Sequence, residues 1–171
     1  GDGAAFFSAA HPTISAGNQS NLAAAADLSE ATLETILTNV QKIKDDRNIL
    51  IGASAKSLHI PVDSWAIADR IMSSPGNTQT SELQANPNTN AINAIRHLGM
   101  LPDGYYINRR FTDTDSYFIK TDVPNGAKMF NRTPLQTKME PDFDTGNLRF
   151  KARERYSFGV SDWRAFFGSA G

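Results

Sequence analysis

NLRFKARERYSFGV, residues 147–160, decides how this chain is read. Phe150, Ala152, Tyr156, Phe158 and Val160 fall on one side of a period-two alternation, and Arg149, Lys151, Arg153 and Arg155 fall on the other. Successive side chains of a strand point to opposite faces, so this pattern predicts one long β-strand with an apolar face and a basic face. Glu154 breaks the apolar face and needs a cation or a donor there if that face is buried. The basic face is open to three readings: a solvated strand face, a contact with another subunit, or proximity to nucleic acid. Downstream, SFGVSDWRAFFGSAG is rich in aromatics, and Trp163, Phe166 and Phe167 are expected in a core.

Upstream of this strand the pattern is shorter-ranged. Tyr105 to Phe111, Ser116 to Thr121 and Gly126 to Asn131 are β candidates separated by Asp, Pro and Gly. Two helices are expected before them. The first runs from Ser29 to Lys44, with Ser29 as N-cap and Leu33, Ile36, Leu37, Val40 and Ile43 as its apolar stripe. The second runs from Val62 to Ser73 behind Pro61 and is expected to bury Trp65, Ala68, Ile71 and Met72. A strand is expected at Ser57 to Ile60, a long polar loop over 74–90, and a short helix or irregular segment from Asn90 to Leu98. Residues 1–28 read as an extended or loosely structured lead-in. No internal repeat is visible. Strand followed by helix at this spacing suggests an α/β arrangement in the first half of the chain.

Composition narrows the chemistry. The chain has 171 residues, enough for one domain or two small lobes. It has no cysteine, which excludes disulfides, thiolate metal sites and cysteine nucleophiles. The net charge of -1 gives no bulk attraction to nucleic acid or to an anionic membrane. The charge is uneven: residues 1–90 hold nine acids and five bases, and residues 91–171 hold nine acids and twelve bases. Complementary halves favour contacts between copies or between lobes of one copy. No stretch approaches the roughly 20 apolar residues of a membrane span, and Gly1 to Ala10 lacks the basic region of a secretory signal. Without a secretory route the Asn-x-Ser/Thr triplets at Asn18 and Asn131 are chance matches.

No catalytic constellation emerges. His11, His59 and His97 are far apart and none sits at a metal-ligand spacing. His59 is expected to be a hydrogen-bonded or exposed histidine on the strand face opposite Leu58 and Ile60. Asp113 with Asp115, and Asp142 with Asp144, are expected to form Asx-turns, because neither pair has the spacing or the closing Glu of a calcium loop. There is no phosphate loop and no nucleophile elbow. The expectation is therefore a non-enzyme, with no catalytic, cofactor or metal residues.

Six segments, in this order, resemble the Mu-type branch of tailed-phage major head subunits: AAFFSAAHPTISAGNQSNL (4–22), LSEATLETILTNVQKIKDDRN (28–48), AKSLHIPVDSWAIADRIMSS (55–74), NPNTNAINAIRHLG (86–99), RRFTDTDSYFIKTDVPNGAKMFNR (109–132) and DFDTGNLRFKARERYSFGVSDWRAFFGSAG (142–171). The resemblance implies the capsid fold named after phage Hong Kong 97, whose fold class is α+β. Residues 1–24 would then be a lead-in from the peripheral domain, 25–135 the axial domain, and 136–171 a return strand of the peripheral domain. It further implies a structural protein that self-assembles into pentamers and hexamers of an icosahedral head around double-stranded DNA. The other phage reading is a decoration or tail-tube protein. The implied partners are copies of the chain itself, with portal, scaffold or decoration proteins, DNA by non-specific proximity only, and no membrane. The implied location is the virion, assembled in the bacterial cytoplasm. Arg149, Lys151, Arg153 and Arg155 are the candidate intersubunit contact. The family's amino-terminal arm, extended loop and spine helix have no counterpart here. The expectation is therefore a fragment, a processed form or the traced part of a longer chain, whose partial peripheral domain exposes apolar surface.

Overall fold

A computed structural model describes residues 2–76 and 92–171. From residue 77 onward, the loop expected over 74–90 lies outside the described residues. Among the described residues the architecture is mixed α+β, with three separate sheets and a few short helices.

The first helix, α1, spans Glu30–Gln41. Ser29 caps it: the Ser29 hydroxyl accepts from the Thr32 amide, and the Thr32 hydroxyl accepts from the Ser29 amide. This reciprocal pair satisfies two amides that the helix leaves unbonded at its start. Leu33, Ile36, Leu37 and Val40 form the buried stripe, as their spacing predicts. The helix stops at Gln41, before the expected Lys44, and Ile43 is buried beyond its end.

The central sheet has the order β4-β3-β5-β8, where β3 is Ala55–Ile60, β4 Tyr105–Ile107, β5 Tyr117–Thr121 and β8 Phe166–Ser169. β3 runs parallel to β4 and antiparallel to β5, and β5 is antiparallel to β8. Leu58, Ile60 and Ile119 from this sheet are fully buried in one core with the α1 stripe, Ile95, Leu101 and Phe167. The hydroxyl of Tyr117, also buried, has no hydrogen-bond partner among the described residues.

After Pro61 a 3₁₀ turn over Val62–Ser64 leads into α2, Trp65–Ser73. Ala68 and Ile71 are buried as expected, but Trp65 is 53% exposed. The buried stripe is centred on Ser64, Ala68 and Ile71, and at 3.6 residues per turn Trp65 points roughly 90° away from its centre. Asn93 caps the short helix α3, Ala94–His97, and its amide nitrogen also donates to the Ile71 carbonyl, tying α3 to α2.

Two expectations need correction. The lead-in is pinned rather than loose, although its only regular structure is a small antiparallel pair, β1 (His11–Pro12) with β2 (Asn18–Gln19). The buried Asn21 amide donates to the carbonyls of Phe6, Trp163 and Phe166, and the Ala23 amide donates to the Gly168 carbonyl at the edge of β8. Buried polar groups that find such partners hold a segment as firmly as regular structure does. The second correction concerns the β candidate expected to end at Asn131. It is instead β6, Ala127–Pro141, which pairs antiparallel with β7, Leu148–Val160. The position between 135 and 136, read as a boundary, falls inside β6. The carboxyl-terminal segment divides: β7 belongs to this ribbon, whereas β8 returns to the central sheet.

Candidate interaction surface

The β6–β7 ribbon separates the two kinds of side chain that the sequence alternates. Its register places Arg149, Lys151, Arg153 and Arg155 opposite Glu140, Lys138, Gln136 and Thr133. All four predicted site residues are exposed and share one face. The structure adds Lys128 and Lys138 from β6 to that face. Six cations against Glu140 leave it a formal charge of +5. Among the described residues only Arg149 of these is paired, with Asp142 at 2.6 Å across the hairpin turn. Lys138 and Lys151 stand directly opposite one another, an arrangement that costs stability unless an anion lies over it.

The other face is apolar. Met129, Met139, Leu148, Phe150, Tyr156 and Phe158 are each more than half exposed. Tyr156 and Phe158 meet edge to face at 5.5 Å. Glu154 is solvated on this face and needs no partner. Burial of the strand's apolar side, which would oblige Glu154 to find a partner, is not found. The expected exposure of apolar surface is, because β6 and β7 pack chiefly against each other and stand away from the core. Two register irregularities lie on β6, between Asn131 and Thr133 and between Thr133 and Gln136. Pro134 falls in the second, where its missing N–H leaves no ladder bond unmade.

At the root of the ribbon the chain is held tightly. The Ser161 amide donates to the Gly126 carbonyl, and any side chain at Gly126 would collide with Ala165. The turn at the far end is equally built. The Asp142 amide donates to the Asn147 carbonyl at 2.8 Å, the Gly146 amide to the Asp142 carbonyl at 2.9 Å, and the Thr145 hydroxyl to the Asp142 carboxylate at 2.9 Å. Gly146 takes the left-handed conformation (φ 69°) that this turn requires. Asp142 thus closes the turn through its backbone and the Thr145 hydroxyl rather than by the expected Asx-turn. Asp113 does form the expected Asx-turn, its carboxylate accepting from the Asp115 amide at 3.2 Å.

A second cluster escaped the sequence reading. His11 is buried and stacks on Trp163 with ring centroids 4.1 Å apart. Its Nδ1 lies 2.6 Å from the Asp2 carboxylate and its Nε2 lies 3.0 Å from Asn21 Oδ1. The hydrogen bond to His11 is the leading reason the Asp2 carboxyl is held below the ordinary carboxylate range. Arg164 lies 4.6 Å over the Trp163 ring and pairs with Asp46 at 2.7 Å. These contacts join the lead-in, the loop after α1 and the segment between β7 and β8. His59 sits where expected, on the face of β3 opposite Leu58 and Ile60, with its Nε2 3.1 Å from the Ser57 hydroxyl and its ring against Tyr106. Burial first, and the Lys120 charge second, lower its affinity for a proton.

Among the described residues no group of three or more His, Cys, Asp or Glu is placed to hold a metal, and no helix is long and apolar enough to cross a membrane. No protein-family model matches the chain, and no curated protein matches it. Among solved structures the backbone is similar to a chain from Mycobacterium phage Che8, at a TM-score of 0.44 and 16% sequence identity. The similarity covers 87% of this chain and 53% of that one, so the chain spans about half the length of this relative.

Proposed function

We propose that this chain is the shell-forming part of a tailed-phage major capsid protein of the Hong Kong 97-like type, working by repeated self-association rather than catalysis. The observation that carries the reading is the β6–β7 ribbon, with its apolar face and its basic face both outside the core. A lone two-stranded ribbon is at best marginally stable in water. A contiguous apolar face of this kind marks a surface that another chain segment covers. The ordered resemblance of six sequence segments supports the same reading. On it, the central sheet and helices belong to the axial domain and the ribbon to the peripheral domain. Quasi-equivalent copies close rings through head-to-tail contacts, and the rings close a shell. The basic face meets an acidic surface of a neighbouring copy, which sets register and approach more than raw affinity. Packaged DNA is then a non-specific neighbour.

The test is negative-stain electron microscopy of the full-length parent protein made with its phage neighbours, beside the double substitution Arg153→Glu and Arg155→Glu. The wild type is expected to give closed shells or capsomer rings. The double variant is expected to melt at nearly the wild-type temperature, since exposed substitutions of this kind shift stability by at most about 0.5 kcal/mol, yet to yield few particles. A normal particle yield would remove the basic face from the contact. Open tubes from the wild type would favour a tail component instead.

A further inference from the structure

We infer that the hairpin turn of the ribbon is a docking knob, and that Phe143 at its tip inserts into an aromatic pocket on the body of a second copy of this chain. Phe143 is 100% exposed. The turn from Asp142 to Asn147 that carries it is closed by hydrogen bonds. A hydrogen-bonded turn lowers the backbone ordering cost of binding, which leaves the rotamer freedom of the ring itself to be lost when the ring is covered. An aromatic anchor entering a pocket is also the commonest form of an energetic centre in an interface.

The body offers a matching recess. Phe7, Leu22, Phe111 and Phe118 line a cavity of about 450 Å³, together with the exposed Arg110 and Asp113. The three phenylalanines already pack on one another: Phe7 and Phe118 have ring centroids 4.9 Å apart, and Phe111 and Phe118 meet edge to face at 5.4 Å. A fourth ring entering this wall gains the same offset and edge contacts. Polar matching singles out the same pair of surfaces. Asp142 is occupied by Arg149 and Thr145, which leaves Asp144, beside Phe143, as a carboxylate with no ion pair among the described residues. Arg110 is the cation of the pocket and forms no ion pair among the described residues, while the Asp113 carboxylate is engaged by the Asp115 amide. Phe143 into the aromatic recess and Asp144 onto Arg110 satisfy both at once.

The tip and the pocket are different surfaces of one chain. A β6 of 15 residues places the tip on the order of 50 Å from the ribbon's root, so the occupant is another copy. A contact of this kind is head-to-tail: it propagates, and it closes into a ring only when the rotation between copies allows. The contact deepens the capsid reading and rests on it for its biological setting.

The test is a complementation experiment by sedimentation over a range of protein concentrations, with far-ultraviolet circular dichroism confirming that each variant is folded. Phe143→Asp removes the knob and keeps the pocket. Arg110→Glu spoils the pocket and keeps the knob. The wild-type chain is expected to associate above its 18.7 kDa monomer mass. Each variant alone is expected to associate roughly tenfold to a hundredfold more weakly. An equimolar mixture of the two is expected to regain a one-to-one complex through the intact knob of one copy and the intact pocket of the other. A monomeric wild type, a Phe143→Asp protein that associates as the wild type does, or a mixture no stronger than its components would overturn the knob-and-pocket contact. Shells that form normally from Phe143→Asp protein would also overturn it and leave the capsid reading standing. Failure of the capsid reading has a separate signature: wild-type protein that builds tubes, whatever this pair of surfaces does.

Discussion

The body around β3 and β5 and the ribbon of β6 and β7 are built from similar strands and end in opposite states. In the body, Leu58, Ile60 and Ile119 are fully buried beneath α1 residues and Phe167. In the ribbon, Phe150 and Phe158 are 64% and 70% exposed. Both regions pair their backbone amides and carbonyls, so hydrogen bonding does not separate them. What separates them is a second layer. An element that is apolar on one face must set it against another element, and the body has helices and a lead-in to do so. The ribbon has none among the described residues. The burial energy of the ribbon's apolar side chains is therefore not used in folding this unit, while that of the body is.

That contrast can be broken most directly by truncating one side chain of each kind. Leu58→Ala is expected to destabilise the chain by about 2–5 kcal/mol in chemical denaturation, since it empties a fully buried site. A loss below about 1 kcal/mol would mean that the body is less tightly packed than its burial indicates. Removing the cap of α1 by Ser29→Ala is expected to cost about 1 kcal/mol, because the Thr32 amide loses its acceptor. Phe150→Ala should change the stability of the chain alone by no more than about 0.5 kcal/mol, while reducing particle yield if the ribbon is covered in the assembly. A large destabilisation of the isolated chain would show that the ribbon's apolar face is already packed, and would erase the difference between the two regions.

The smallest effect concerns protons. The fold lowers the proton affinity of His59 chiefly by burying it. The unfolded chain, with an ordinary histidine near 6.5, then binds a proton before the folded one does. Stability from this group is fully present above that pH and is lost as the pH falls towards the lower value of the folded state. His59→Gln is expected to flatten the pH dependence of the melting temperature just below 6.5. An unchanged slope would assign the acid sensitivity to other groups. Asp2 acts further down the scale. Its carboxyl is held below the ordinary 3.8, so its contribution is present above that value and disappears as the pH falls through the folded value.

Much of this was legible before any coordinates. The stripe of α1 and its Ser29 cap follow from spacing and local hydrogen bonding, and both are found. The alternation of β7 placed Arg149, Lys151, Arg153 and Arg155 on one face, and there they are. Other features were not legible. β6 runs past Asn131 because Pro134 falls at an irregularity of the ladder, and such a position cannot be told from a strand end by composition. Asp2, His11, Asn21 and Trp163 meet only because the chain returns, and each is an ordinary residue where it stands in the sequence. Phe143 looks like one more aromatic until its full exposure at the tip of the hairpin is seen.

The sequence by itself determined periodicity and local chemistry: where α1 begins and which faces β7 has. These depend on neighbours a few residues apart, whose geometry the backbone sets. The tertiary structure alone decided burial. It showed that Trp65 is outside the core, that the lead-in is pinned by Asn21, and that both faces of the ribbon are open. Burial depends on which distant segments arrive to cover a face, and a face carries no mark in its own residues that says whether its cover lies within the same unit or on another copy.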